Sequence, residues 1–261
     1  MKKIAFLGLG VMGFHIAAHL LKKYKKITIF NRTLQKSKKF KKMFSKFDVE
    51  IAMTPSDAAN NNDFLVSCVG NDNDLIEIYF GKYGIFKNIK KNSHVIDHTT
   101  VSPKTAKICF DEFKKKKCKF LDAPVSGGEI GAINGMLSIM VGGEKIIFEQ
   151  LKPILSVYSQ SLVYMGKSGN GQLAKMVNQI CVSGVIQGLA EGLNFGKKNG
   201  LTLNKLLSAI SKGAAQSWQM ENRHKTMIED KFDYGFAVNW MRKDLKIARE
   251  EAKKNNSPLP I

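Results

Sequence analysis

From residue 1 to about 165, short apolar runs alternate with amphipathic stretches. KKIAFLG, KITIF, DFLVSCV, SHVIDHT, KFLDAPV, LSIMVGG and SLVYMG are brief and rich in β-branched residues, which predicts strands. Between them, Met12 to Lys23, Leu34 to Phe47, Pro55 to Asn60 and Pro103 to Lys116 carry helical spacing, and the last two open on Thr-Pro and Ser-Pro. A further helix over Lys145 to Ser156 closes this part of the chain. Strand and helix in alternation predict an α/β domain built on a parallel sheet. After Gly171 the period changes: Gln172 to Lys198 reads as one long helix rich in small residues, and the chain stays helical to Ala252. Gly166, Gly169 and Gly171 mark a boundary near 165 to 170. The expected organisation is a nucleotide-binding α/β domain over 1–165 and an all-helical domain over 166–261, joined through the long helix.

The first strand runs into Gly8-Leu9-Gly10-Val11-Met12-Gly13, and this GxGxxG opens the first helix. That placement gives the motif its meaning. Glycines allow a tight turn and a close approach of pyrophosphate, while the helix N-terminus offers unpaired N–H groups and a positive dipole end. The reading is a Rossmann-type dinucleotide site. An acidic residue about twenty positions on would hold the 2′-hydroxyl of NAD; here Asn31-Arg32-Thr33 stands at the end of the second strand. An asparagine leaves no carboxylate to repel a 2′-phosphate, and a guanidinium can grip one with two hydrogen bonds, so NADP is expected ahead of NAD. A surface arginine at a strand end is the plain alternative.

Charge changes the picture in one respect. The formal net charge of +19 raises nucleic acid or an anionic surface as a partner. The excess is lysine in short scattered runs, such as Lys22 to Lys26, Lys36 to Lys42 and Lys114 to Lys117, with no single stripe interleaved by aromatics. Nucleic acid is therefore the less favoured partner. No apolar run has the length of a membrane span, and the N-terminus lacks the apolar segment of a signal peptide, which predicts a cytoplasmic protein. Cys68, Cys109, Cys118 and Cys181 form no CxxC pair and read as buried thiols; His15, His19, His94, His98 and His224 show no metal-ligand spacing, so no metal is expected.

Within Gly169-Asn170-Gly171-Gln172-Leu173-Ala174-Lys175-Met176-Val177-Asn178-Gln179, Lys175 lies near the start of the long helix, with Asn178 and Gln179 three and four residues on. The spacing puts all three on one face. A lysine packed against apolar neighbours and a nicotinamide ring has its ammonium form disfavoured, which suits it to exchange a proton with a hydroxyl. A solvent-facing helical lysine is the alternative. Ser126-Gly127-Gly128 follows the strand that ends at Asp122, at the sheet edge where α/β ligands bind, and its backbone could receive a substrate carboxylate; an ordinary tight loop reads equally well. Met241-Arg242-Lys243-Asp244-Leu245 carries another lysine that could reach the cleft or sit in a surface salt bridge.

Taken in order, GLGVMG, NRT, DHTTVSP, DAPVSGGEIGAINGMLSIMVGG, GNGQLAKMVNQ and WMRKDL resemble the β-hydroxyacid dehydrogenases, the group that includes 3-hydroxyisobutyrate and tartronate semialdehyde enzymes. The resemblance spans nearly the whole chain. It implies an N-terminal Rossmann domain and an all-α second domain, NAD(P)-dependent hydride transfer between nicotinamide and a small 3-hydroxy acid or its semialdehyde, and Lys175 as catalytic acid/base. It adds Val69, Gly70, Thr100 and Lys243 to the cofactor contacts, assigns Ser126, Gly127 and Gly128 to the substrate carboxylate, and implies a homodimer or homotetramer. Many members carry asparagine four residues after the lysine; here that position is Gln179, preceded by Asn178, as in the tartronate semialdehyde type. Such chains usually continue past the LPI-like segment, so the helical domain is expected to be shortened at its end. The competing class is a non-catalytic nucleic-acid-binding module on the same fold, which the charge would suit and Lys175 argues against.

Overall fold

The structure is a computed structural model that describes residues 2–232 and 237–260. The chain divides into two compact units, Met1–Lys175 and Met176–Ile261.

The first unit runs β1 (Ile4–Leu7), α1 (Val11–Tyr24), β2 (Lys26–Phe30), α2 (Leu34–Met43), β3 (Asp48–Ile51), α3 (Pro55–Ala59), β4 (Phe64–Ser67), α4 (Asp72–Phe80), β5 (His94–Asp97), α5 (Pro103–Lys115), β6 (Lys119–Asp122), β7 (Val125–Ser126), α6 (Gly128–Asn134), β8 (Leu137–Gly143), α7 (Lys145–Leu155) and β9 (Ser159–Gly166). The strands lie in the order β3-β2-β1-β4-β5-β6-β8-β7, with β9 on β8. β1 pairs in parallel with both β2 and β4, in register Ala5↔Thr28 and Ala5↔Leu65. The strand order therefore reverses at β1, which opens a crevice between the C-terminal ends of β1 and β4.

The apolar runs are continuous because both sheet faces are covered. Ile4 and Phe6 pack into one core with Ile16 and Leu20 of α1 and Phe148 and Leu151 of α7. Ala5 and Leu7 pack into the opposite core with Tyr79 of α4 and Phe113 of α5. The Thr-Pro and Ser-Pro openings behave as read: Thr54 forms a capping box with Asp57, Ser102 accepts from the Thr105 N–H, and Pro55 and Pro103 sit in the first turns.

Four features depart from the sequence reading. The sheet is not wholly parallel, since β8 runs antiparallel to β6 and β7. β3 went unread because Asp48 and Glu50 are outward-facing charges in a strand of only 4 residues. α4 and α6 were unread as well; α4 is fixed by Asn71, whose side chain accepts from the Asp74 N–H. α2 stops at Met43 rather than Phe47, where Phe44 leaves the helical region at φ −109° and ψ 36°.

α8 (Asn170–Lys198) begins in the first unit and continues through the second, which adds α9 (Leu203–Ile210), α10 (Trp218–Ile228) and α11 (Val238–Lys254). Within the second unit, Leu189, Leu193, Leu207 and Met220 form one small core. Met176, Ile247 and Ala248, with Ile180 and Leu259, form another. No helix among the described residues is long and apolar enough to cross a membrane.

Candidate active site

The glycine turn separates into two structural glycines and one that faces open space. Gly8 has φ +100°, and a Cβ there would lie 2.2 Å from the Cys68 carbonyl oxygen. A Cβ on Gly13 would lie 2.0 Å from the Gly8 carbonyl oxygen, so α1 is packed directly on the turn. Gly10, by contrast, has nothing within 4 Å of its would-be Cβ. It is also the N-cap of α1, with no side-chain cap and no acidic residue in the first turn. Unpaired N–H groups and a positive helix end thus border an open surface beside Gly10, which fits the pyrophosphate of a dinucleotide. Val11 is exposed beside it, while Met12 packs against the core.

Asn31 has a role that its lack of charge did not reveal. Its Oδ1 accepts from the Leu9 N–H at 2.8 Å, and its Nδ2 donates to the Thr33 carbonyl at 3.0 Å. The amide therefore ties the glycine turn to the loop after β2. Arg32 extends into solvent, with its side chain 86% exposed, and pairs with Asp74 at 2.9 Å. Thr33 caps α2 without a side-chain hydrogen bond.

On the other side of the crevice, β4, β5 and β6 end in register on Ser67, Asp97 and Asp122. Asp97 is fully buried, and its Oδ1 accepts from Ser67 Oγ (2.7 Å), Thr99 Oγ1 (2.6 Å) and the Thr99 N–H (3.1 Å). Thr99 Oγ1 in turn accepts from the Val69 N–H at 3.0 Å. The Val69-Gly70 segment thus hangs from Asp97 through Thr99, next to Thr100. Burial pushes the Asp97 carboxyl up to about 7, against the pull of its Thr99 and Ser67 hydrogen bonds. The neighbouring His98 is held neutral, because burial lowers its pKa to about 4. Its ring nitrogens lie 2.6 Å from the Ala123 carbonyl oxygen and 2.9 Å from the Tyr158 hydroxyl, a structural role.

Lys175 is buried, at 7% exposure, in the first turns of α8. The plain alternative of a solvent-facing lysine is therefore set aside. Gln172, one turn earlier and fully buried, donates from Nε2 to the Thr99 carbonyl (2.8 Å) and accepts at Oε1 from the Val101 N–H (3.1 Å). The same loop after β5 therefore touches both the Val69 segment and the helix that carries Lys175. Ser126 ends β7, paired with Ser138 of β8. Gly127 and Gly128 follow with φ +126° and +61°, and a Cβ on Gly128 would meet nothing within 4 Å. In the second unit, Gln179 is buried, donates to Asp244 Oδ2 at 2.7 Å and accepts from Asn178 Nδ2 at 2.8 Å. Lys243 pairs with Asp244 at 3.0 Å.

The sequence alone gives Asp97, Thr99, Asp122 and Gln172 no role and predicts four buried thiols. Cys109 and Cys118 are buried, but Cys68 is half-buried and Cys181, on α8, is exposed. A polar DHTT segment at the end of an apolar strand was the available signal for Asp97 and Thr99.

Residues 3–166 match the family model described as the NAD binding domain of 6-phosphogluconate dehydrogenase. Residues 169–261 match the one described as NAD-binding of NADP-dependent 3-hydroxyisobutyrate dehydrogenase. An uncharacterized oxidoreductase of Shewanella frigidimarina is 49% identical over 100% of this chain and 89% of its own length. A probable mitochondrial 3-hydroxyisobutyrate dehydrogenase-like protein of Arabidopsis thaliana is 36% identical over 99% of this chain and 76% of its own length. Among solved structures, a 3-hydroxyisobutyrate dehydrogenase from Salmonella typhimurium superposes with a TM-score of 0.88 at 26% identity, covering 100% of this chain and 90% of that one. With the glycine turn, the strand order and the buried lysine already in place, these matches show that the chain belongs to the β-hydroxyacid dehydrogenase family of NAD(P)-dependent oxidoreductases.

Proposed function

We propose that the protein oxidises a small 3-hydroxy acid, or reduces the corresponding semialdehyde, with Lys175 moving the proton. The observation that carries this reading is the burial of Lys175 in a chain whose other lysines crowd the surface. A buried amine is held in one place by the residues packed around it, which suits it to meet a substrate hydroxyl in a fixed geometry. Bound nicotinamide supplies the hydride acceptor or donor. In the oxidation, Lys175 Nζ takes the hydroxyl proton as hydride leaves the carbon; in the reduction it returns that proton to the carbonyl oxygen. Ser126 and the backbone of Gly127 and Gly128 hold the substrate carboxylate, and both glycines adopt positive φ to present that backbone. Asn178 or Gln179, joined to each other by a hydrogen bond, orients the hydroxyl.

NADP is the preferred cofactor in this reading. Support comes from the neutral Asn31, the exposed guanidinium of Arg32, and the NADP-dependent description of the model that matches residues 169–261. Four free cysteines suit a reducing, cytoplasmic setting. We also propose that copies of the chain associate through the outward face of α8, where Val177 and Phe195 are 61% and 70% exposed. A monomer mass by sedimentation at micromolar concentration would refute that assembly.

The test of function is absorbance of reduced nicotinamide with a panel of methylmalonate, tartronate and succinic semialdehydes and glyoxylate. The expected result is oxidation of NADPH with one of these aldehydes. Lys175→Ala should then lower turnover by roughly 10²–10⁴ while cofactor binding survives. Wild-type turnover in that variant would sink the assignment.

A further inference from the structure

Asp122 lies far from Lys175 in sequence, yet it is built into the turn that launches the lysine's helix. Its Oδ1 accepts from the Gly169 N–H (2.8 Å) and Ser168 Oγ (3.1 Å), and its Oδ2 accepts from the Gln172 N–H (3.2 Å). The first N–H groups of a helix have no partner within it, and a carboxylate is the strongest acceptor a side chain can bring to them. The carboxylate comes from the end of β6, so the helix start is fastened to the sheet rather than capped by its own chain neighbour.

The packing leaves no slack at this joint. A Cβ on Gly142 would lie 2.7 Å from both Asp122 carboxylate oxygens. A Cβ on Gly171 would lie 2.5 Å from the Met140 carbonyl oxygen and 2.7 Å from that of Asp122. Asp122 is fully buried. Burial raises its pKa, and the donors of Gly169, Ser168 and Gln172 oppose that shift. A second anchor is Gln172, whose amide bonds the Thr99 carbonyl and the Val101 N–H. Lys175 follows Gln172 by three residues and Gly171 by four, so it stands on the face of α8 that these two anchors fix.

We propose that Asp122, with Gln172, is a positioning residue for Lys175: it sets the angle at which α8 leaves the sheet, and with it the place of the lysine amine. This rests on the acid/base reading of Lys175. The carboxylate touches neither substrate nor cofactor in this role and acts only through the helix. An amide in its place would keep one acceptor and turn an NH2 group toward backbone N–H groups, so the turn must shift. A displacement of about 1 Å at a proton-transfer group costs on the order of 100-fold in rate.

The test is a cycle of three variants, Asp122→Asn, Lys175→Ala and the two combined, assayed with NADPH and the aldehyde that the wild type reduces. Cofactor dissociation constants and melting temperatures are measured alongside. Asp122→Asn is expected to lower kcat by about tenfold to a hundredfold, with KM changed less and NADPH binding within about twofold of wild type. In the Lys175→Ala background the same change should cost less than about twofold, because its route of action is already gone. An equal loss in both backgrounds means that Asp122 serves the fold and not the lysine, and overturns the proposal, as does wild-type kcat in Asp122→Asn. If Asp122→Asn yields no folded protein, Gln172→Met takes its place in the cycle and is read by the same criteria. Undiminished turnover in Lys175→Ala, or no turnover of any aldehyde by the wild type, instead brings down the acid/base reading.

Discussion

Gly10 and Gly13 lie three residues apart in one motif, and the structure assigns them opposite sensitivities. A Cβ at Gly13 falls 2.0 Å from a backbone oxygen, and at Gly10 it falls on nothing within 4 Å. Gly10 has φ −74° and ψ −171°, a conformation open to alanine. Alanine lowers the entropy of the unfolded chain by about 0.4–1 kcal/mol, and as an N-cap it is poorer than glycine by a comparable amount. Gly10→Ala should therefore leave stability within about 0.5 kcal/mol of wild type. Its methyl group would stand where the pyrophosphate approaches α1, so NADPH affinity should fall at least tenfold, about 1.4 kcal/mol. Gly13→Ala must push α1 off the turn, and overpacking of this kind costs about 1–3 kcal/mol. Urea unfolding and fluorescence titration with NADPH separate the two effects. If Gly10→Ala binds NADPH as the wild type does, the space beside that residue is not the pyrophosphate site.

Arg32 pairs with Asp74 at the surface, a contact worth little to stability, so Arg32→Ala should leave the melting temperature nearly unchanged. If Arg32 grips the 2′-phosphate, NADPH affinity falls about tenfold or more while NADH affinity holds; equal effects on both cofactors would refute the assignment. Asp97 and His98 make opposite contributions to the pH dependence of stability. With its folded pKa raised to about 7, Asp97 costs up to about 4 kcal/mol as pH rises from 4 to 7, because the unfolded carboxyl ionises first. His98, lowered to about 4, costs up to about 3 kcal/mol as pH falls from 6.5 to 4. Asp97→Asn should accordingly lose most stability relative to wild type near pH 4 and least near pH 7. A constant difference across that window in urea unfolding would mean that Asp97 is not raised.

The sheet was legible because its strands are short apolar runs bounded by turns, and a central parallel strand must be apolar on both faces. IAFL is the clearest case, with alternate residues feeding opposite cores. β3 was not legible, since DVEI carries as many charges as apolar residues and is recognised only by its pairing with β2. The glycine turn could be read because its chemistry is local: three glycines, a strand before and a helix after. The anchors of Asp97 and Asp122 could not. Asp97 joins its neighbour Thr99 to Ser67, which the register of β4 and β5 sets beside it, and Asp122 holds Gly169 and Gln172, which lie 47 and 50 residues away at the start of α8. Periodicity places such residues at a strand end but cannot say what they hold.

The row formed by Ser67, Asp97 and Asp122 is a poor choice for stability alone. Both carboxyls have raised pKa values because burial disfavours their charge, so each weakens the fold at neutral pH relative to a group that stays neutral there. What the two acids share is that each fixes a loop or helix start that leads to the site. Asp97 holds Thr99, and Thr99 holds the Val69 N–H at the edge of the crevice beside β1. Asp122 holds the start of α8, and α8 carries Lys175. Gln172 bonds the Thr99 carbonyl and so joins the two, which makes the loop after β5 common to the cofactor side and the lysine side of the first unit. A carboxylate can accept several hydrogen bonds from fixed directions, which no apolar side chain of the same volume can do. The desolvation cost thus purchases a defined geometry at the ends of three adjacent strands, from which the Val69 segment and the start of α8 both hang.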